Sequence, residues 1–116
     1  MDFLPVFLRL RQQRVLLVGG GQVALRKAQL LLRAEAELVV VAHEICDGLQ
    51  VLLVPPHICY LRSYEASDLD GVSLVIASTD DELINRRVSV DAQARNLQVN
   101  VVDQPALCSF IFPSIV

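Results

Sequence analysis

The chain has 116 residues, the size of one ordinary domain, and is 53% hydrophobic against 20% charged, which excludes a disordered or fibrous protein. Ten Lys and Arg against thirteen Asp and Glu give a formal net charge of −3, so no general positive field draws nucleic acid and no such partner is expected. Residues 1–9 lack the basic lead-in and cleavage site of a secretion signal. No apolar run reaches the ~20 residues of a membrane-crossing helix, and a soluble cytoplasmic protein is expected.

Aromatics make up only 5%, so the core must come from Leu, Val, Ile and Ala, as in strands covered by helices on both faces. Val15-Leu16-Leu17-Val18 is a short aliphatic run ending in Gly19-Gly20-Gly21, the pattern of a buried strand entering a tight turn. From Gln22 to about Arg33, Ala24, Ala28, Leu31 and Leu32 recur at helical spacing while Arg26, Lys27 and Arg33 are left for water. Residues 38–42 read as a second strand. Residues 46–53 read as a short helix that Pro55-Pro56 stops, although Gly48 weakens it. Residues 58–61 and 73–77 read as the third and fourth strands. Thr79-Asp80-Asp81-Glu82 then supplies an N-cap, from the Thr79 hydroxyl or the Asp80 carboxylate, and an acidic first turn. That helix runs to about Arg95, with Ile84, Val88 and Ala92 inward and Asn96 placed for a left-handed residue past its end. Residues 99–102 give a fifth strand and 110–112 a possible sixth.

Strands alternating with helices imply an α/β fold, a Rossmann-type doubly wound parallel sheet of about five to six strands, with residues 1–116 as its one domain. In such sheets ligands bind beyond the carboxyl ends of the strands. The loops at residues 19–22, 42–44 and 77–80, together with Asp103, are therefore where chemistry is expected.

Gly19-Gly20-Gly21-Gln22-Val23-Ala24 is a G-x-G-x-x-A fingerprint lying between a strand and a helix. Gly19 makes the turn, Gly21 lets backbone approach a pyrophosphate, and Ala24 keeps the helix close to the sheet. Free N–H groups at the helix start meet the phosphate charge, so a dinucleotide is expected in preference to an empty glycine turn. An acidic residue near the end of the second strand would accept the adenine-ribose hydroxyls; Glu44 suits that role and a solvated loop equally. No arginine stands at or just after that strand end to take a 2′-phosphate, which favours NAD over NADP. Ala77-Ser78-Thr79 offers small residues for the nicotinamide half. Asp103 ends the fifth strand where a general base would be useful, but the residues alone favour a turn-forming aspartate before Gln104-Pro105.

Cys46, Cys59 and Cys108 are odd in number and far apart, so they read as small buried hydrophobes in a reducing compartment. His43 and His57 have no ligand cluster around them, so no metal site is expected and each reads as a surface or turn histidine. Arg86 and Arg87 read as solvated or ion-paired.

Several segments, in order, resemble a known family. They are Asp2-Phe3-Leu4-Pro5-Val6-Phe7, Val18-Gly19-Gly20-Gly21-Gln22-Val23-Ala24-Leu25-Arg26-Lys27, Ala77-Ser78-Thr79-Asp80-Asp81, Asn85-Arg86-Arg87-Val88-Ser89, Asn100-Val101-Val102-Asp103 and Ser109-Phe110-Ile111-Phe112-Pro113-Ser114. The family is the N-terminal domain of siroheme synthase, found also as separate precorrin-2 dehydrogenases. The resemblance implies NAD-dependent oxidation of precorrin-2 to sirohydrochlorin, then insertion of ferrous iron to give siroheme. It implies Asp103 as the catalytic carboxylate, reversing the reading of the residues alone. It also implies cofactor contacts at Gly21, Gln22 and Val23, at His43 and Glu44, and at Ser78 and Thr79, and a homodimer for the complete protein.

The sequence departs from the family in places. Ala34-Glu35-Ala36-Glu37 stands where relatives commonly carry a glycine before the second strand, and residues 49–56 match poorly. The chain stops after Pro113-Ser114-Ile115-Val116, before the family's dimerisation region. Few cations lie near the expected cleft, whereas the tetrapyrrole carries many carboxylates, so this stretch is expected to retain NAD binding more readily than turnover. A competing reading is a non-catalytic NAD-sensing Rossmann regulatory module, which needs the glycine turn but not Asp103; a third is a structural domain, which needs neither.

Overall fold

The computed structural model describes residues 1–113, so the possible role of Ser114 and the apolar ending falls outside it. Five strands, β1 (Arg14–Val18), β2 (Glu37–Ala42), β3 (Ile58–Leu61), β4 (Leu74–Ala77) and β5 (Gln98–Val101), form one all-parallel sheet in the order β3-β2-β1-β4-β5. Three α-helices, α1 (Gln22–Arg33), α2 (Asp47–Leu52) and α3 (Glu82–Ala94), make three of the connections, and a 3-10 turn (Ala66–Leu69) lies between β3 and β4. The chain thus winds outward from β1 through β2 to β3, then returns to lay β4 on the other side of β1. That reversal opens a crevice at the carboxyl ends of β1 and β4.

The strands are aliphatic because both faces are covered. Leu16, Val18, Val75 and Val99 point to one core layer with Val88 and Ala92 of α3. Val15, Leu17, Val40 and Ile76 point to the other with Ala24, Ala28 and Leu31 of α1 and Leu49 of α2. Successive side chains alternate across each strand, so one short run feeds two cores. Ala24 and Ala28, both fully buried, are the small residues that bring α1 close to the sheet.

Three expectations need correction. α3 is capped by Asp81, whose carboxylate accepts from the N–H groups of Leu83 and Ile84 at 2.9 and 3.4 Å. Thr79 and Asp80 stand too early, because the helix starts at Glu82. There is no sixth strand among the described residues. After β5, Ser109 N–H donates to the Val99 carbonyl at 2.8 Å, but the neighbouring bonds go to side chains: Val99 N–H to Ser109 Oγ, and Asn100 Nδ2 to the Phe110 carbonyl at 3.1 Å. Side-chain partners replace the ladder, and Phe110 and Phe112 fold onto the α1 layer. The cysteines, all free, are half-buried instead of fully enclosed.

Asn96 does adopt the left-handed conformation after α3 (φ 58°), and Glu35 does the same after α1 (φ 61°). The position where the family's glycine was missed is therefore one that geometry asks to be glycine.

Candidate functional site

At the crevice, a cavity of about 720 Å³ is lined by residues 18–23 after β1, 41–46 after β2, 62–64 after β3, and 78–81 with Ile84 after β4. It gathers Gly19, Gly21, Gln22, Val23, His43, Glu44, Ser78 and Thr79 into one wall. Asp103 is not in that wall.

The three glycines do different work. Gly19 sits at φ +135°, and a Cβ there would lie 2.5 Å from Ser78 Oγ and 2.9 Å from the Ser78 carbonyl oxygen. A Cβ on Gly20 would fall 2.0 Å from the Glu44 carbonyl oxygen, and the Gly20 carbonyl accepts from Cys46 N–H at 2.8 Å. These two glycines let the β1, β2 and β4 loops close on one another. Gly21 differs: a Cβ there would meet nothing within 4 Å. It is the N-cap of the twelve-residue α1, with no side-chain cap and no acidic residue in the first turn. The N–H groups at the helix start have no side-chain cap, and Gly21, Gln22 and Val23 line the cavity, an arrangement suited to anionic oxygen.

The β4 loop is held from behind. Buried Asn85 accepts from Thr79 N–H at 3.2 Å, donates through Nδ2 to the Thr79 carbonyl at 3.0 Å, and has its Oδ1 2.6 Å from the Thr79 hydroxyl. The Thr79 hydroxyl also accepts from Asp81 N–H. Asn85 was legible as part of a motif, but its clamp on Thr79 spans a loop and a helix turn that spacing alone does not resolve.

His43 and Glu44 are exposed turn residues, and His43 Nε2 lies 3.1 Å from Ser63 Oγ across the cavity's far end. The other histidine is structural: His57 Nδ1 accepts from Leu38 N–H at 3.1 Å. Arg62, unmarked in the sequence, follows β3 onto the cavity wall. Its Nη2 and Nη1 donate to the Asp68 carboxylate at 2.6 and 3.0 Å, and its Cζ lies 4.8 Å from the centre of the Tyr60 ring. Burial alone would push the Asp68 carboxyl up. The hydrogen bonds from Arg62 and from Glu65 N–H, with the guanidinium charge, outweigh that and hold it below the ordinary carboxylate value. Tyr64, also in the wall, is pushed well above the usual phenol range by burial and by its hydrogen bond to Asp91 at 2.9 Å.

Asp103 lies at the carboxyl end of β5, on the same rim of the sheet, in a second cavity of about 270 Å³ with Lys27, Asn100, Gln104 and Phe112. It is exposed and left-handed (φ 61°). The turn is tied below it by Cys108, whose Sγ accepts from Val101 N–H at 3.2 Å. Lys27 Nζ sits 4.3 Å above the Phe112 ring. Among the described residues no group of three or more His, Cys, Asp or Glu comes together to hold a metal ion, and no helix is long and apolar enough to cross a membrane.

Residues 6–114 match the NAD_binding_7 family, whose description reads "Putative NAD(P)-binding". The chain belongs to that family. Over its whole length it is 60% identical to the siroheme synthase of Ectopseudomonas mendocina (strain ymp) and 56% identical to that of Pseudomonas fluorescens (strain SBW25). The match falls in the N-terminal part of those proteins, so the resemblance carried by the motifs holds throughout. This chain spans 25% of the length of each. Among solved structures, "SirC, precorrin-2 dehydrogenase" has the same fold, with a TM-score of 0.82 at 23% identity over 97% of this chain and 55% of that one.

Proposed function

We propose that this domain binds NAD for the oxidation of precorrin-2 to sirohydrochlorin, as part of a cytoplasmic homodimer that also inserts ferrous iron to give siroheme. Gly21 is the observation that carries the cofactor half. Its missing Cβ relieves no contact within the protein and leaves open space over the start of α1. A pyrophosphate fits there, against the bare N–H groups that open α1. Gln22 and Val23 contribute backbone to that contact, Glu44 and His43 border the adenosine ribose, and the Ser78-Thr79 loop borders the nicotinamide half.

Bound NAD supplies a hydride acceptor. The chain's own task is the proton: oxidation of the macrocycle removes a hydride and a proton, and the Asp103 carboxylate takes the proton and steadies the positive charge that precedes its loss. The same carboxylate serves the pyrrole protons that leave when iron, as substrate, enters. Arg62 and Lys27 are the only Lys or Arg residues among the described ones that line either cavity, and Arg62 is already paired. The carboxylates of the tetrapyrrole therefore draw most of their cationic partners from parts of the protein beyond this chain.

The test is spectroscopic conversion of precorrin-2 by the complete protein with NAD. Asp103→Asn is expected to lower turnover by about 10²–10⁴-fold while leaving NAD affinity as it was. Undiminished turnover removes Asp103 from the chemistry; NAD binding without any conversion by the unaltered protein favours the sensing module instead.

A further inference from the structure

The family description leaves open which dinucleotide is taken; the absence of an arginine at the end of β2 favours NAD, and the folded cleft adds an arginine from β3 that the sequence did not place there. Arg62 is the only Lys or Arg among the described residues lining the larger cavity. It stands one residue past β3, beside His43 and Ser63, at the end of the cleft away from the β4 loop. In a doubly wound sheet that end takes the adenosine half. A guanidinium there is ordinarily the signature of a 2′-phosphate site.

This guanidinium, 38% exposed, already has a partner for its charge. Asp68 grips it through both carboxylate oxygens, at 2.6 and 3.0 Å, and a third bond runs to the Ser63 carbonyl at 3.0 Å. The Asp68 side chain is only 4% exposed, so water screens the pair poorly from that side. Asp68 is itself fixed, because its Oδ2 also accepts from Glu65 N–H at 2.8 Å in the reciprocal cap of the 3-10 turn Ala66–Leu69. The flat face of Arg62 lies on Tyr60. The group is thus tied in place with its charge paired.

We propose that the Arg62–Asp68 pair makes this cleft selective for NAD over NADP. Arg62 forms the adenosine end of the wall, and Asp68, a positioning residue acting through it, cancels the charge that a 2′-phosphate needs. Glu44, the only other charged side chain near the end of β2 on that wall, adds repulsion toward the phosphate. A neutral ribose hydroxyl meets neither penalty. The inference rests on the dinucleotide reading above and goes past it by naming what chooses between the two cofactors.

Isothermal titration of the full 116-residue chain with NAD and with NADP tests it. The unaltered chain is expected to bind NAD and to bind NADP more weakly. Asp68→Asn keeps a carbonyl oxygen for Glu65 N–H and removes the charge. It should tighten NADP by about tenfold or more, as expected for a newly freed charge-assisted bond, and leave NAD within about threefold. That gain should shrink with added salt and vanish in the Asp68→Asn/Arg62→Gln double variant. An unchanged NADP-to-NAD ratio in an NAD-binding Asp68→Asn chain, or a gain that survives removal of Arg62, overturns the proposal. Should Asp68→Asn fail to fold, Asp68→Ser, which also keeps an oxygen for Glu65 N–H and removes the charge, is read the same way: tighter NADP with NAD held supports the proposal, and an unchanged NADP-to-NAD ratio overturns it. An unaltered chain that binds neither dinucleotide defeats the cofactor reading itself, and this inference with it, before any variant is made.

Discussion

At the β1 corner the backbone of one loop lies so close to the next that a single added carbon would sit 2.0 Å from a carbonyl oxygen, whereas at the β5 end of the same rim Asp103 stands exposed on a shallow turn. The corner is specified by steric necessity, where the loops after β1, β2 and β4 close on one another. The β5 end brings one carboxylate and one lysine to a cavity less than half the size. A dinucleotide carries its own recognisable backbone chemistry, so one domain suffices to bind it. On the proposed reading, a macrocycle fringed with carboxylates needs cations from several directions; the curated relatives are four times the length of this chain.

The corner itself can be split. Gly20→Ala is expected to lose about 3 kcal/mol of stability, the upper range for forcing volume into a packed site, because the obstructing atom is backbone of the Glu44 carbonyl and cannot rotate away. Gly21→Ala should cost no more than about 1 kcal/mol as a poorer N-cap. Its NAD affinity should nevertheless fall on the order of 100-fold, about 2.7 kcal/mol, since the new methyl takes the space assigned to the pyrophosphate. Thermal melts and calorimetry on the two variants separate the roles. A Gly21→Ala chain that binds NAD normally would show that phosphate docks elsewhere.

Acid should distinguish the wall of the cleft from its floor. The folded pKa of Asp68 lies below the ordinary carboxylate value of ~3.9, so its stabilising effect is complete above about pH 4 and disappears as pH falls through the lower folded value. In melts taken from about pH 5 down to pH 2, Asp68→Asn should show a shallower acid loss than the unaltered chain. Parallel acid limbs would mean that the Arg62 pairing does not persist in solution.

The strand, glycine turn and helix at residues 15–33 were legible because local pattern and tertiary role agree there: the same aliphatic run that favours a strand fills both cores. Asn96 was legible for the same reason, a residue tolerant of left-handed backbone just where a helix stops. What escaped was non-local. Arg62 reached the cleft only through parallel pairing of β3 with β2, which no spacing in the chain announces. Phe110-Ile111-Phe112 carries strand-forming residues, yet Asn100 and Ser109 side chains claim the edge of β5 first. Gly20 carries no role in the fingerprint, and only the folded β2 loop reveals why it cannot carry a side chain. Asp103 was the opposite case, since nothing local to it marks it and the family resemblance alone raised it above a turn residue.

The smallest effect concerns the turn after α1, far from either cavity. Glu35 holds φ 61° where Ala36 N–H returns to the Leu31 carbonyl at 3.1 Å, the closing bond of a helix stop built for glycine. A non-glycine residue in that conformation costs roughly 1–2 kcal/mol. Glu35 recovers a part by pairing with Arg11 at 2.8 Å, but the two side chains are 61% and 70% exposed, and such a pair contributes less than about 1 kcal/mol. Glycine would relieve the strain, forfeit the pair and add unfolded-state freedom worth about 0.5–1 kcal/mol. The balance favours Glu35→Gly by about 0.5 kcal/mol, a rise of about 2 °C in Tm. Glu35→Ala keeps the strain and loses the pair, so it should fall by a similar amount. Opposite signs for the two variants in one melting series would show that backbone conformation, and not the ion pair, governs this turn; equal losses would show the reverse.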